Sequence, residues 1–161
     1  MIDAATNAII TTLPVGGRPR GVTFSPDGAH AYVTGEVGKS LTAIDAKRNT
    51  LLSTVHIAGD PVLPMGVAVS PDNKQVYVST GRGGNVVVMD ATSLATTKTI
   101  AVGKRPWGLA LSPDGKYLYT ANGTSDDVSV VDTNTLQIVT KISTGGRPWG
   151  CLLYTSPSPR D

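Results

Sequence analysis

Short runs of apolar and β-branched residues alternate with turn-forming residues along most of this chain. In the middle of the chain they predict strands at 66–70, 75–79, 85–90 and 96–102, each bounded by glycine, proline, asparagine or aspartate. Runs of this length with turns between them are typical of antiparallel strands and are too short for helices. The pattern therefore predicts an all-β chain in which each unit is a four-stranded meander.

The same pattern occurs three times at regular intervals. The segments GVTFSPDGAHAYVTG, GVAVSPDNKQVYVST and GLALSPDGKYLYTAN begin at Gly21, Gly66 and Gly108, which are offset by 45 and then 42 residues. A four-stranded unit of this length cannot bury both of its faces alone, whereas units stacked radially cover one another. The repeat therefore predicts the blades of a β-propeller. The tyrosines that keep the same offsets are Tyr32, Tyr77 and Tyr119.

The first hairpin turn of each unit has a defined chemistry. Ser-Pro-Asp-Gly occupies 25–28 and 112–115, with proline where φ near −65° is favoured and glycine where a positive φ follows. Asn73 replaces that glycine in the second unit, and asparagine also tolerates the left-handed region. We therefore predict a type I turn followed by one residue of positive φ in all three units.

Counting strands divides residues 1–150 into a half blade and three complete blades. The half blade covers 1–15, and the blades cover about 20–57, 65–102 and 107–143. Closed propellers have roughly four to eight blades, and we expect about seven in this one. The chain is then a partial propeller of about 3.5 blades, an arc with further blades at one or both ends.

The repeat stops after Gly150, where CLLYTSPSPRD replaces the expected first strand of another blade. This segment resembles the reading-frame translation of the transposase adapter used in sequencing libraries. We therefore expect residues 151–161 to be a non-native tail. A divergent natural terminus is the alternative, because Cys151, Leu152 and Leu153 could take the place of a strand.

The strand motifs AYVTG, VYVST and LYTAN, together with VTFSPDG and IDAATN, resemble the 40-residue YVTN β-propeller repeat over residues 1–150. That repeat is found in WD40-like and quinoprotein amine dehydrogenase-like propellers. LYTANGTSDDVSVVD followed by GGRPWG is most similar to the carboxy-terminal blades of propellers associated with catabolism that depends on pyrroloquinoline quinone (PQQ). The resemblance implies a periplasmic or extracellular location, with any signal peptide upstream of this chain.

Composition and charge exclude several classes of function. The net charge of +2 is too small for a nucleic-acid interface, which needs clustered lysine and arginine. No run approaches the roughly 20 consecutive apolar residues of a membrane-spanning helix. Cys151 is the only cysteine, so an intrachain disulfide is impossible, and no zinc-ligand spacing is present. We expect no nucleic-acid partner, no membrane span, no metal and no cofactor.

The acidic residues indicate a structural role rather than catalysis. Seven of the twelve fall at repeat-equivalent positions, where a short carboxylate accepts hydrogen bonds from turn amides. These are Asp3, Asp27, Asp45, Asp72, Asp90, Asp114 and Asp132. The remaining acids before the tail are Glu36, Asp60, Asp126 and Asp127. We expect those four in surface loops, without the paired groups of divergent pKa that general acid–base catalysis needs.

The other polar candidates also favour structural interpretations. His30 and His56 are not spaced as metal ligands and are expected to be exposed strand and loop residues. The GRGGN segment at 81–85 lacks the lysine and hydroxyl of a phosphate-binding loop, so we expect a tight turn there. No catalytic residue is therefore predicted.

The connection from the fourth strand of one blade to the first strand of the next carries the best candidate site. Such connections line one rim of the propeller channel, where guanidinium groups and indoles suit a carboxylate, a phosphate or an aromatic ligand. The candidate ligand-binding residues are Arg18, Arg20, Met65, Arg105, Trp107, Arg147 and Trp149. Met65 belongs to a connection with three extra residues, which breaks the ring of repeated motifs. The alternative is structural: Arg-Pro-Trp-Gly turns also hold blades together.

Two hypotheses of function remain open. The first is a non-catalytic binding or scaffold propeller, accessory to a periplasmic PQQ-linked oxidation system, whose partner is an unknown protein or a small anionic or aromatic ligand. The second is part of a propeller enzyme, a lactonase-like hydrolase or a haem or quinone oxidoreductase, with catalytic residues partly outside this chain. Fold alone does not decide between them.

Overall fold

The computed structural model describes residues 1–151, and its strands form three four-stranded antiparallel sheets. The predicted all-β class and partial propeller architecture are confirmed. The first sheet contains β1 (Pro19–Phe24), β2 (His30–Gly35), β3 (Ser40–Asp45) and β4 (Thr50–His56). The second contains β5 (Val67–Val69), β6 (Gln75–Ser79), β7 (Asn85–Asp90) and β8 (Thr96–Ala101). The third contains β9 (Pro106–Leu111), β10 (Tyr117–Asn122), β11 (Asp127–Asp132) and β12 (Gln137–Ser143).

The three sheets share one register. Tyr32, Tyr77 and Tyr119 pair across the second and third strands of their sheets with Ala43, Val88 and Val130, respectively. Immediately after each of these partners, the pairing of the third strand with the fourth shifts by a bulge. A bulge at one repeat position in every sheet shows that the sequence repeat is also a structural repeat.

The predicted first turn occurs in all three sheets. The residues after the turn have positive φ, +68° at Gly28, +62° at Asn73 and +71° at Gly115. Their amides donate hydrogen bonds of 2.8, 2.9 and 2.8 Å to the carbonyl of the serine that opens each turn. The asparagine of the second unit thus takes the conformation that glycine takes in the other two.

The seven repeated aspartates stabilise turns, as predicted. In the hairpin turns a serine hydroxyl donates to the carboxylate, as from Ser70 to Asp72 at 2.6 Å, and it holds the pKa of that carboxyl below its usual value. At the strand ends the amide three residues on donates, as from Arg48 to Asp45 at 2.8 Å, with the same effect on the pKa. Each carboxylate is therefore committed to local backbone structure.

Apolar side chains fill the two spaces between adjacent sheets. Tyr32, Leu41 and Val76 belong to the cluster between the first and second sheets, and Tyr77 and Leu118 to the cluster between the second and third. All five are at most 2% exposed. Burial of the middle strands of each sheet against the neighbouring sheet explains why the units stack radially.

Hydrogen bonds also tie neighbouring sheets together at one end. The Thr34 hydroxyl donates to the Met65 carbonyl at 2.6 Å, and the Ser79 hydroxyl donates to the Trp107 carbonyl at 2.6 Å. The Gly108 amide donates to the Trp149 carbonyl at 3.1 Å. These bonds fix the connections that carry the candidate binding residues.

Residues 1–15, where half a blade is expected, contain one antiparallel bridge, between Ile2 and Ile9, and no assigned strand. These residues pair with no strand of the three sheets. Leu13 and Val15 instead pack on the first sheet. The tail expected at 151–161 lies, apart from Cys151, outside the described residues. No helix among the described residues is long and apolar enough to cross a membrane.

Candidate functional site

Two repeat-equivalent arginines sit in an unusual backbone conformation at the start of the rim connections. Arg18 and Arg105 have φ of +56° and +54°, which few residues other than glycine adopt. Each turns its carbonyl toward the loop between the second and third strands of the sheet that follows it. The Glu36 amide donates to the Arg18 carbonyl at 3.0 Å, and the Gly123 amide donates to the Arg105 carbonyl at 3.0 Å.

These connections enclose a cavity of about 250 Å³, which we call the cationic cavity. Four guanidinium groups and one carboxylate line it. Its lining residues are Arg18, Arg20, Glu36, Leu63, Met65, Gly81, Arg82, Arg105 and Trp107. The structure therefore gathers five of the seven candidate residues from three successive connections around one space.

Glu36 corrects an expectation, because it is a buried rim residue rather than a surface-loop acid. Its side chain is 11% exposed, and its Oε2 atom accepts a hydrogen bond from Arg20 Nε and lies 3.3 Å from Arg18 Nε. The loop that carries it folds under the Arg18 connection. One signal was available in the sequence: Glu36 is the only glutamate, and it stands where the other units have Gly81 and Gly123.

Trp107 lies at the centre of the arginine cluster. The guanidinium carbons of Arg20 and Arg105 lie 5.7 and 5.5 Å from the centroid of its ring, within the range of cation–π attraction. The ring of Trp149 lies 4.3 Å away, centroid to centroid, and is inclined at 60°. Trp107 is therefore in contact with two guanidinium groups and one indole.

The longer connection of the second sheet forms the apolar wall of the cavity. The Leu63 amide donates to Thr80 at 3.0 Å and the Met65 amide donates to Ser79 at 2.9 Å, and Met65 is 6% exposed. A side chain at Gly81 would come within 2.9 Å of the Leu63 carbonyl oxygen. Met65 stands at the position of Arg20 in the first unit and Trp107 in the third, so a packed thioether replaces a guanidinium or an indole here.

Two arginines depart from the sequence expectation. The GRGGN segment forms the expected turn, a 3-10 turn at Gly81–Gly83, yet its Arg82 lines the cavity. Arg147 is exposed and is not among the lining residues. The carbonyls of Arg18 and Arg105 each accept a hydrogen bond from a backbone amide between the second and third strands of the sheet that begins just after the arginine. No hairpin follows Arg147 within residues 1–151.

The other polar candidates lie away from this cavity. His30 lines a separate cleft with Asp27 and Tyr32, and His56 is exposed on β4. Asp60 pairs with Lys39 at 3.2 Å. Within the described residues, no group of three or more histidine, cysteine, aspartate or glutamate side chains is placed to hold a metal ion.

Solved structures with this fold include proteins of several kinds. Hydrazine synthase of Kuenenia stuttgartiensis is similar at a TM-score of 0.77 with 30% identity over 88% of this chain. A proposed 6-phosphogluconolactonase from Bacteroides fragilis matches at 0.73 with 24% identity over 87%. The WD40 repeats of RRP9 match at 0.75 with 16% identity over 84%. The last two likenesses show the fold alone.

The chain spans about two fifths of the structures that it matches, 41%, 43% and 42% of their respective lengths. Among curated protein sequences none matches it significantly. The narrower YVTN and PQQ-linked resemblance stays a prediction. The model of the family described as lactonase, seven-bladed β-propeller, matches residues 5–142, which is most of the chain. The chain therefore belongs to the seven-bladed β-propeller lactonase family.

Proposed function

We propose that this chain contributes to a propeller that binds a small anion, a carboxylate or a phosphate, in the cationic cavity. One observation carries the proposal: the guanidinium groups of Arg18, Arg20, Arg82 and Arg105 line about 250 Å³ that contains the single carboxylate of Glu36. Guanidinium groups bind carboxylates and phosphates through paired, charge-assisted hydrogen bonds. The excess of positive charge in a concave site favours an anionic ligand.

Arg82 and Arg105 are the groups best placed to hold that anion. Glu36 engages Arg18 and Arg20, whereas no carboxylate of residues 1–151 lies within ion-pairing distance of Arg82 or Arg105. Their charges are therefore left to solvent or to a ligand. The Met65 and Leu63 wall excludes water from one side, which strengthens any ion pair formed there.

Binding without chemistry accounts for these residues best. General acid–base catalysis needs two titratable groups in different environments, and Glu36 has neither a second carboxylate nor a histidine beside it in the cavity. The repeated aspartates are engaged by turn amides and hydroxyls. These commitments support the proposal of a non-catalytic binding or scaffold propeller.

The resemblance to YVTN repeats adds a location and a context to this proposal. It supports a periplasmic or extracellular protein that is accessory to a PQQ-linked oxidation system. A visible absorption spectrum of the protein purified from its native host tests this role. Absorption from bound haem or quinone would contradict it and favour an oxidoreductase.

Lactone hydrolysis is the second candidate function, because the family is named for that activity and one similar structure is a proposed 6-phosphogluconolactonase. In that case the cationic cavity would hold the anionic group of a sugar-acid lactone. An assay of lactone hydrolysis, monitored through the release of acid, discriminates the two functions. Turnover that Arg105→Ala abolishes would replace the binding role with a catalytic one.

The binding proposal is tested by calorimetric titration with inorganic phosphate at low ionic strength. We expect Arg105→Ala and Arg82→Ala each to weaken binding about tenfold, because each removes a charge-assisted contact. Arg147→Ala is the matched control, since it removes the same charge from the same motif outside the cavity. Equal losses in Arg105→Ala and Arg147→Ala would show diffuse charge attraction and refute a defined site.

A further inference from the structure

A second cavity of about 220 Å³ adjoins the cationic cavity and shares Arg20, Met65 and Trp107 with it. We call it the indole cavity. Its other side-chain wall is Trp149, and its floor is the backbone of three repeat-equivalent glycines, Gly21, Gly66 and Gly108. Apart from Arg20, its side chains are a thioether and two indoles. The two cavities are therefore neighbours of opposite chemical character.

The glycine floor stays flat because the backbones approach too closely for side chains. A Cβ atom added at Gly21 would lie 2.6 Å from the Met65 carbonyl oxygen, and one added at Gly66 would lie 2.6 Å from the Trp107 carbonyl oxygen. Glycine is thus required by packing at both positions. The consequence is a bare peptide surface beside the two indoles, suited to a flat apolar group.

Trp149 forms the second aromatic wall of this cavity. Its ring contacts Trp107 at 4.3 Å between centroids, inclined at 60°. An aromatic ring that stacks on the two indoles removes apolar surface from water. Neither cavity alone reaches the roughly 300 Å³ at which sites for small molecules begin, whereas the two together do.

We propose that the two cavities hold the two halves of one ligand, an aromatic carboxylate. The ring stacks on Trp107 and Trp149 in the indole cavity, and the carboxylate accepts a hydrogen bond from Arg105, which has no carboxylate partner among residues 1–151, in the cationic cavity. Trp107 separates the halves, and Arg20 borders both spaces. The inference rests on the proposed function, because it assigns the anion site to one chemical class of ligand.

The test compares 2-naphthoate with cyclohexanecarboxylate, which carries the same charge without an aromatic ring. Both tryptophans of the chain lie at this site, so tryptophan emission reports on it alone. We expect 2-naphthoate to bind at least tenfold more tightly than cyclohexanecarboxylate. Trp149→Leu should remove that preference while changing the affinity for cyclohexanecarboxylate less than twofold, and Trp149→Phe should retain it.

The outcomes separate this inference from the binding proposal. Equal affinities for the two probes, both weakened by Arg105→Ala, would overturn the aromatic specificity and leave the anion site standing. No binding of either probe or of inorganic phosphate would overturn both. A preference that survives Trp149→Leu would also contradict the stacking role of that indole.

Discussion

Replacing Glu36 by glutamine should destabilise the folded chain and, at the same time, tighten anion binding. The carboxylate is 11% exposed and contacts two guanidinium groups, and the side chains of Arg20 and Arg18 are 31% and 59% exposed. Breaking a fully buried ion pair costs about 3–5 kcal/mol, whereas exposed pairs contribute at most about 1 kcal/mol. Because the arginines are partly solvated, we expect a loss of about 1–2 kcal/mol in the free energy of unfolding.

The gain in affinity follows from removing a like charge next to the ligand. At a separation of about 6 Å and an effective dielectric constant of about 40, two unit charges interact by about 1.4 kcal/mol, or about tenfold in a dissociation constant. Calorimetric titration with inorganic phosphate measures this change. Unfolding in urea measures the stability.

Asp60→Asn is the matched control for this experiment. It removes the carboxylate of an exposed pair with Lys39, in which the aspartate side chain is 88% exposed. Its effect on stability should stay below about 0.5 kcal/mol, with unchanged anion affinity. A Glu36→Gln variant as stable as the wild type, with no tighter binding of phosphate, would refute the account of the cationic cavity.

Three further predictions concern the fold. Gly28→Ala should lower the free energy of unfolding by about 1 kcal/mol, because φ is +68° there. Gly115→Ala should lower it by about 1–3 kcal/mol more, because its Cβ would also lie 2.6 Å from Pro71. Urea unfolding measures both, and equal losses would contradict the packing of Gly115 against Pro71. Asp72 has a lowered pKa through the Ser70 hydroxyl, so its contribution to stability is complete above its ordinary value of 3.8 and is lost as pH falls through the lowered one. Ser70→Ala should therefore make the melting temperature fall less steeply as the pH is lowered below about 4. The same acid dependence in Ser70→Ala and in the wild type would contradict this linkage. The first sheet presents Val22 and Phe24, which are 66% and 54% exposed, beside Ile2 and Ile9. The chain should therefore self-associate in light scattering, and Phe24→Asp should reduce that association. A monomeric wild-type chain would disprove this prediction.

Local chemistry explains why much of the fold could be predicted from the sequence. The strands at 75–79 and 85–90 coincide with β6 and β7, because β-branched runs between turn residues define both ends of a strand. The same holds for the turn at Asn73, where only a few residue types tolerate the positive φ. The repeat then extended each local prediction to three places in the chain.

The composition of the cavity depended on contacts that local pattern does not contain. Glu36 lines the cavity because the loop after β2 folds under the Arg18 connection. Arg82 lines it because the insertion at 59–64 packs against the neighbouring Gly81. Arg147 has the right motif but lacks a following hairpin among the described residues to hold its connection. The side chains that face the channel are thus selected by the neighbouring sheet.

A crystal structure of the chain grown with selenate would locate the bound anion unambiguously, because selenium has an anomalous signal. We expect three sheets related by rotation about one axis and a selenate ion in the cationic cavity, within hydrogen-bonding distance of Arg82 or Arg105. Selenate bound elsewhere on the surface, with the cationic cavity holding only water at saturating selenate, would contradict it.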